Sequence, residues 1–183
     1  MILEKKKDSK IFWCTGMSGA GKSTLADFAK IELEKSGVSV LILDGDVIRD
    51  KYSIPLGFGR DDVEKNNLNV VQICKDERVN YDVIIVPIIS PIEKVREVIR
   101  EKLSPNFYLI YIFSEIRSLK VRDTKGLYKK ADNGEIKDLI GYSESNPYDD
   151  PLNFDLLVDT THQSEINESK NQFINFVEKT LVL

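Results

Sequence analysis

One histidine, two cysteines and six prolines are spread over 183 residues, and no apolar run approaches the roughly 20 residues that cross a bilayer. Each scarcity excludes something. Cys14 lies in an apolar run and Cys74 in a helical pattern, a count and spacing that fit reduced, buried thiols better than a disulfide or a metal site. His162, the single histidine, sits in a polar stretch and suits a surface position better than a catalytic one. Positive charge is not in excess either: a net charge of −4 argues against a nucleic-acid polymer as main partner, while a small anion in a local basic pocket stays compatible. Residues 1–10 are charged rather than apolar, so the expectation is a cytoplasmic protein without membrane contact. No internal repeat or low-complexity tract is present. The length, with 42% hydrophobic and 31% charged residues, predicts one α/β domain spanning residues 1–183.

What is there begins with Gly16-Met17-Ser18-Gly19-Ala20-Gly21-Lys22-Ser23-Thr24, placed after an apolar run (Ile11 to Thr15) and before a helical pattern. This is a complete P-loop in the strand-to-helix setting that gives it meaning. Glycines let successive N–H groups and a helix N-terminus point at one spot, which forms a hollow for nucleotide phosphates. Gly16, Ser18, Gly19, Ala20, Gly21 and Thr24 would line that hollow, Lys22 would reach the β/γ-phosphates, and the Ser23 hydroxyl would hold Mg²⁺. A turn that merely joins strand to helix needs neither the lysine nor the hydroxyl at this spacing.

The P-loop helix is predicted over residues 22–36, with Gly37 as its C-terminal cap, and a buried strand over 38–43 ends in Asp44-Gly45-Asp46. Carboxylates at that strand end lie on the ligand edge of an open α/β sheet, although Asp and Gly also suit a plain turn, and pattern alone leaves both readings open. Phe58, between two glycines, either plugs the core or stacks on a planar ligand. Asp61 is expected to cap a helix to about residue 79 that carries Asn66 on a mainly apolar side. A strand over 83–89 precedes Ser90-Pro91, read as the cap and first position of a helix to about 102. A strand over 107–113, a helix over 115–121 capped by Ser114, a strand over 156–159 and a terminal helix capped by Ser164 complete the pattern. Residues 122–141 are basic at first and poorly periodic, the signature of either a mobile lid or a charged surface insertion.

Beyond the P-loop, Ile-Leu-Asp44-Gly-Asp46 with Arg49, Leu-Gly-Phe58, Ile-Ser90-Pro, Arg122-Asp-x-Lys125-Gly-Leu-Tyr-Lys-Lys, Gly-Glu-Ile-Lys137 and Asn-Pro-Tyr148 follow one another in the order found in adenylylsulfate kinases. The chain resembles that family over nearly its whole length. The resemblance implies a P-loop kinase fold, with a mostly parallel five-stranded sheet, helices on both faces and a lid at about 122–141. It implies ATP with Mg²⁺ as donor, a small nucleotide as acceptor and transfer to the acceptor's ribose 3′-hydroxyl, with homodimerisation left open. By resemblance Asp46 is the base, Lys22, Ser90 and Lys125 share the catalytic site, and Arg122 packs near the donor adenine. Asp44, Arg49, Phe58, Asn66, Ile89, Ser90, Lys125 and Leu127 would contact the acceptor.

The departures fall on the acceptor side. Where the family carries three arginines and a second aromatic, this chain has Val63, Leu68, Asn69 and Leu139. A lost stacking ring costs about 1–3 kcal/mol by analogy with base–aromatic stacking. The expectation that follows is a smaller pyrimidine acceptor, cytidine diphosphoramidate, as in the related kinases of bacterial capsule modification. The alternative is an adenylylsulfate kinase, and a second alternative is a P-loop switch protein. The sequence contains no guanine-reading Asn-Lys-x-Asp run to favour a switch.

Overall fold

A computed structural model describes residues 8–50, 57, 59–161 and 165–181. Phe58, His162 and Ser164 lie outside the described residues. Five strands, β1 (Lys10–Thr15), β2 (Val40–Ile42), β3 (Val83–Pro87), β4 (Phe107–Phe113) and β5 (Leu156–Asp159), form one sheet in the order β2-β3-β1-β4-β5. Every neighbouring pair is parallel. The sheet is therefore buried on both faces, which explains why β1, β3 and β4 are near-continuous apolar runs rather than alternating ones.

Alternation in β1 divides the core. Phe12 and Cys14 join the layer formed with α1 (Lys22–Lys35) and α7 (Ile166–Leu181), where Leu25, Ala29, Phe173 and Val177 are buried. Ile11 and Trp13 face the opposite layer, with Val70 and Cys74 of α3 (Arg60–Glu77) and Ile99 and Leu103 of α4 (Glu93–Leu103). Cys14 and Cys74 are both buried free thiols. Among the described residues no helix is long and apolar enough to cross a membrane.

Three serine or aspartate caps expected from local pattern are not formed. Gly59 precedes α3, and Asp61 sits inside its first turn, where a carboxylate complements the helix dipole without capping. Ile92 precedes α4, so Ser90 lies two residues upstream and the strand before it stops at Pro87, which cannot donate to a ladder. Glu115 precedes α5 (Ile116–Arg122), because the Ser114 hydroxyl is spent on Thr160 O (3.3 Å) and on the Arg122 guanidinium. β2 is also shorter than residues 38–43, since Gly37 (φ 80°) turns the chain out of α1 and the Val38 N–H still bonds back to Leu33 O (3.2 Å).

Parallel strands place every carboxyl end on one edge, and the P-loop leaves β1 there against β4. A Cβ added at Gly16 would stand 2.3 Å from Ile112 O, a backbone atom in the middle of the sheet that has no room to move. Gly16→Ala should therefore lower stability by about 1–3 kcal/mol, the usual cost of overpacking. Urea unfolding would check this, and an unchanged midpoint would refute the close approach.

Candidate active site

The site starts with a helix that has no cap of its own. Gly21 precedes α1 in a left-handed conformation, no side chain bonds its end, and its first turn carries no acidic residue. Those N–H groups are thus left for an anion. Lys22 folds back into the loop, its Nζ donating to Gly16 O (2.9 Å) and Met17 O (2.8 Å). Burial pulls its pKa down to about 8, opposed by Asp46 and assisted by the Lys125 charge.

Above this hollow lies a cavity of about 460 Å³, within the range of small-molecule sites. Ser18, Gly19, Ala20, Gly21, Lys22, Ser23 and Thr24 line one wall, and Asp44, Asp46, Ile89, Arg122 and Lys125 line the others. Gly16 contributes its carbonyl through Lys22 rather than lining the space. The cavity lining also includes Val121 and Ile166, apolar side chains 78% and 57% exposed. Neither stood out in the sequence, although an exposed valine in a short helix next to a motif arginine is the available signal.

The two readings of the Asp44 turn prove to be one. Its Oδ1 caps α2 (Gly45–Arg49) by accepting from the Asp46 N–H (2.9 Å), while its Oδ2 accepts from Ser23 Oγ (2.8 Å). Ser23 and Asp44 therefore bring two hard oxygen donors together beside the phosphate hollow, a set that fits Mg²⁺, which keeps most of its waters and takes few protein ligands. Among the described residues there is no cluster of three or more His, Cys, Asp or Glu groups. Asp46 points the other way and pairs with Lys125 Nζ at 2.7 Å. Both side chains are well exposed, so the pair contributes only about 0.2–1 kcal/mol and can be exchanged for a ligand.

Ser90 is 1% exposed and adopts a left-handed backbone with φ 44°. Such backbones cost about 1–3 kcal/mol and persist only where their surroundings hold them. Here the buried Arg96 donates to Ser90 O (2.7 Å) and Asp149 O (2.6 Å), and Thr15 Oγ1 donates to Ile89 O (2.6 Å). The Tyr148 hydroxyl stands 2.9 Å from Thr15 Oγ1, and the Arg96 guanidinium stacks over the Tyr148 ring. Arg96 and Thr15 escaped sequence reasoning. The signal was an arginine on the same helical stripe as Ile99 and Leu103.

A second recess of about 30 Å³ opens between α2, α3 and the Ser90 loop, lined by Gly45, Asp46, Arg49, Val63, Asn66, Asn67, Ile88, Ile89, Ser90 and Ile140. Asp46, Ile88 and Ile89 line both spaces, so the two cavities adjoin along this stretch of wall. Residues 122–141 contain a short helix, α6 (Leu127–Asp132), and Tyr128 within it donates from its hydroxyl to Ser18 O (2.8 Å). The segment thus rests on the P-loop. Leu127 lines neither cavity and packs against the core layer of Phe12 instead. Leu139 is buried in that same layer, and Leu68 and Asn69 line neither space.

A family model described as adenylylsulphate kinase matches residues 8–159. The chain belongs to the adenylylsulfate kinase family. It is 37% identical over 179 residues to a probable adenylyl-sulfate kinase of Bacillus subtilis, covering 97% of this chain and 89% of that one. Over 161 residues it is 40% identical to the adenylyl-sulfate kinase of Prochlorococcus marinus, covering 86% and 79%. Among solved structures it is similar to the Mycobacterium tuberculosis APS kinase in complex with AMPPNP and APS, with a TM-score of 0.83, 30% identity and coverage of 94% and 99%. Family membership makes the protein a phosphotransferase acting on a nucleotide hydroxyl.

The lowered pKa of Lys22 sets the pH dependence of the hollow. Phosphates bind the cationic lysine, which loses its proton as pH rises through about 8, so binding must recover that proton. ADP affinity measured by calorimetry should be flat near pH 7 and fall toward tenfold per unit above about 8. An affinity that stays constant to pH 9.5 would contradict a desolvated Lys22, where roughly a thirtyfold loss is expected.

Proposed function

We propose that the protein transfers the γ-phosphoryl group of ATP to the ribose 3′-hydroxyl of adenosine 5′-phosphosulfate. The observation that carries this is that a phosphate hollow and a second, smaller recess adjoin, with Asp46 the one ionisable residue lining both. A donor in the large cavity and an acceptor lying over the shared wall, with one group reaching into the recess, would bring phosphorus and hydroxyl together, and phosphoryl transfer depends mainly on such positioning and on charge stabilisation. Asp46 takes the hydroxyl proton. Lys22 balances charge on the transferring group, Lys125 exchanges Asp46 for the reacting oxygens, and the backbone at Ser90 borders the acceptor. Ser23 and Asp44 would hold Mg²⁺, which would supply charge neutralisation for the phosphates. Arg122 with Val121 and Ile166 borders the donor base, and Arg49 and Asn66 border the acceptor. Residues 122–141 act as a lid that keeps water from the γ-phosphate.

The pyrimidine acceptor expected from the sequence loses its footing. The similar proteins described above are adenylyl-sulfate kinases, and none of them points to capsule modification. The physical reason lies in the departures themselves. Leu139 is packed into the core rather than presented as a stacking platform, Leu68 and Asn69 border neither cavity, and only Val63 of the four replacements lines the recess. One lost cation is a smaller change than three lost cations and a ring.

Parallel assays with ATP and Mg²⁺ should give a kcat/KM for adenosine 5′-phosphosulfate at least about tenfold above that for cytidine diphosphoramidate, about 1.4 kcal/mol of transition-state discrimination. A ratio of the opposite sense would overturn the acceptor assignment.

A further inference from the structure

Asn67 was not among the residues to which the family resemblance pointed. It lies on the buried face of α3, 1% exposed, beside Asn66 at 2%. Its Nδ2 donates to Val63 O (2.8 Å), one turn back along the helix. That bond orients the amide, since turning it over would set Oδ1 against the Val63 carbonyl oxygen. Asn66 is oriented the same way, with Nδ2 toward Gly45 O at 3.5 Å. Both Oδ1 atoms are buried, and among the described residues neither has a hydrogen-bond partner. Ser90 Oγ, on the same recess, is likewise buried without one.

A buried carbonyl oxygen without a donor is a standing cost, and apolar residues serve a helix face better when packing alone is at stake. Asn66 and Asn67 line the same recess as Asp46, so two adjacent acceptors without donors lie within its wall. The recess of about 30 Å³ has room for one small group. Arg49, the cation on its lining, donates to Gly57 O.

We infer that Asn67 is a specificity-determining residue, which with Asn66 selects an acceptor nucleotide presenting an uncharged N–H₂ or O–H donor to this recess. The inference rests on the proposed transfer to a nucleotide hydroxyl and adds the chemistry of recognition. An anionic oxygen aimed at the pair meets only lone pairs, whereas a donor satisfies one or both carbonyls. Such a group can belong to the base, to the ribose 2′ position or to the phosphate tail.

Binding would be measured by calorimetry in the presence of ADP and Mg²⁺, with wild-type protein and Asn67→Leu. The probes are adenosine 5′-phosphosulfate, its inosine and 2′-deoxy counterparts, and the pair cytidine diphosphoramidate and cytidine diphosphate. In the wild type, loss of one donor (base amine, 2′-hydroxyl or tail amine) should weaken binding by roughly tenfold or more, because a polar site left unpaired rejects the analogue. In Asn67→Leu that penalty should shrink to within about twofold, the limit of additivity for uncoupled groups. The melting temperature should not fall, since leucine matches asparagine in shape and removes an unpaired oxygen. Equal penalties in both proteins, or a flat profile across all probes in the wild type, would overturn the inference. Should the leucine variant fail to fold, Asn67→Ala and the wild-type series decide it. Failure of adenosine 5′-phosphosulfate to bind, with the cytidine pair still distinguished through Asn67, would sink the acceptor proposed above and leave the recess standing.

Discussion

A buried ammonium is the constraint around which the site is arranged. Lys22 Nζ has two backbone carbonyls for company, and the carboxylates that would offset it, Asp44 and Asp46, stand across the hollow rather than against it. Desolvation of a cation is costly, so the arrangement favours an anionic ligand that restores what water no longer supplies. The sheet enforces it. Parallel pairing brings the ends of β1, β2 and β3 to one edge, Gly16 lets the loop pass within contact of the Ile112 carbonyl, and the uncapped start of α1 adds its N–H groups.

The second cavity depends on a different device. Ser90 is held in a conformation that most residues avoid, and the holding groups come from three separate parts of the chain: Thr15 at the end of β1, Arg96 on α4, and the loop that carries Tyr148 and Asp149. Thr15 ties the Ser90 turn to the P-loop strand by donating to Ile89 O and Ser90 O. The Asp46–Lys125 pair is the opposite kind of contact, weak and exposed, which suits a group that must change partners during a reaction.

Much of this was legible in the sequence because the P-loop and the branched strands are strong local patterns. β4 and β5 fall at the expected residues, and the Asp44-Gly45-Asp46 turn lies at the expected edge. The errors share a cause. Ser90, Ser114 and Asp61 were read by a local capping rule, but the serines' surroundings are set by Arg96, Arg122 and Thr160, distant or side-chain partners that no local rule contains. Leu139 stands where the family has a stacking ring, and tertiary packing buries it with Tyr128. Asn67 was passed over because one polar residue on an apolar helix face resembles noise until its carbonyl is seen without a partner.

Asp46, which lines both cavities, is the group proposed to take the proton of the acceptor hydroxyl. Asp46→Asn keeps the shape and removes the basicity. Single-turnover phosphoryl transfer from ATP to adenosine 5′-phosphosulfate should fall by roughly 10²–10⁴-fold, the range for a general base, while ADP affinity stays within about twofold. A variant that transfers the phosphoryl group at the wild-type rate would contradict the account and leave Asp46 as no more than a partner for Lys125.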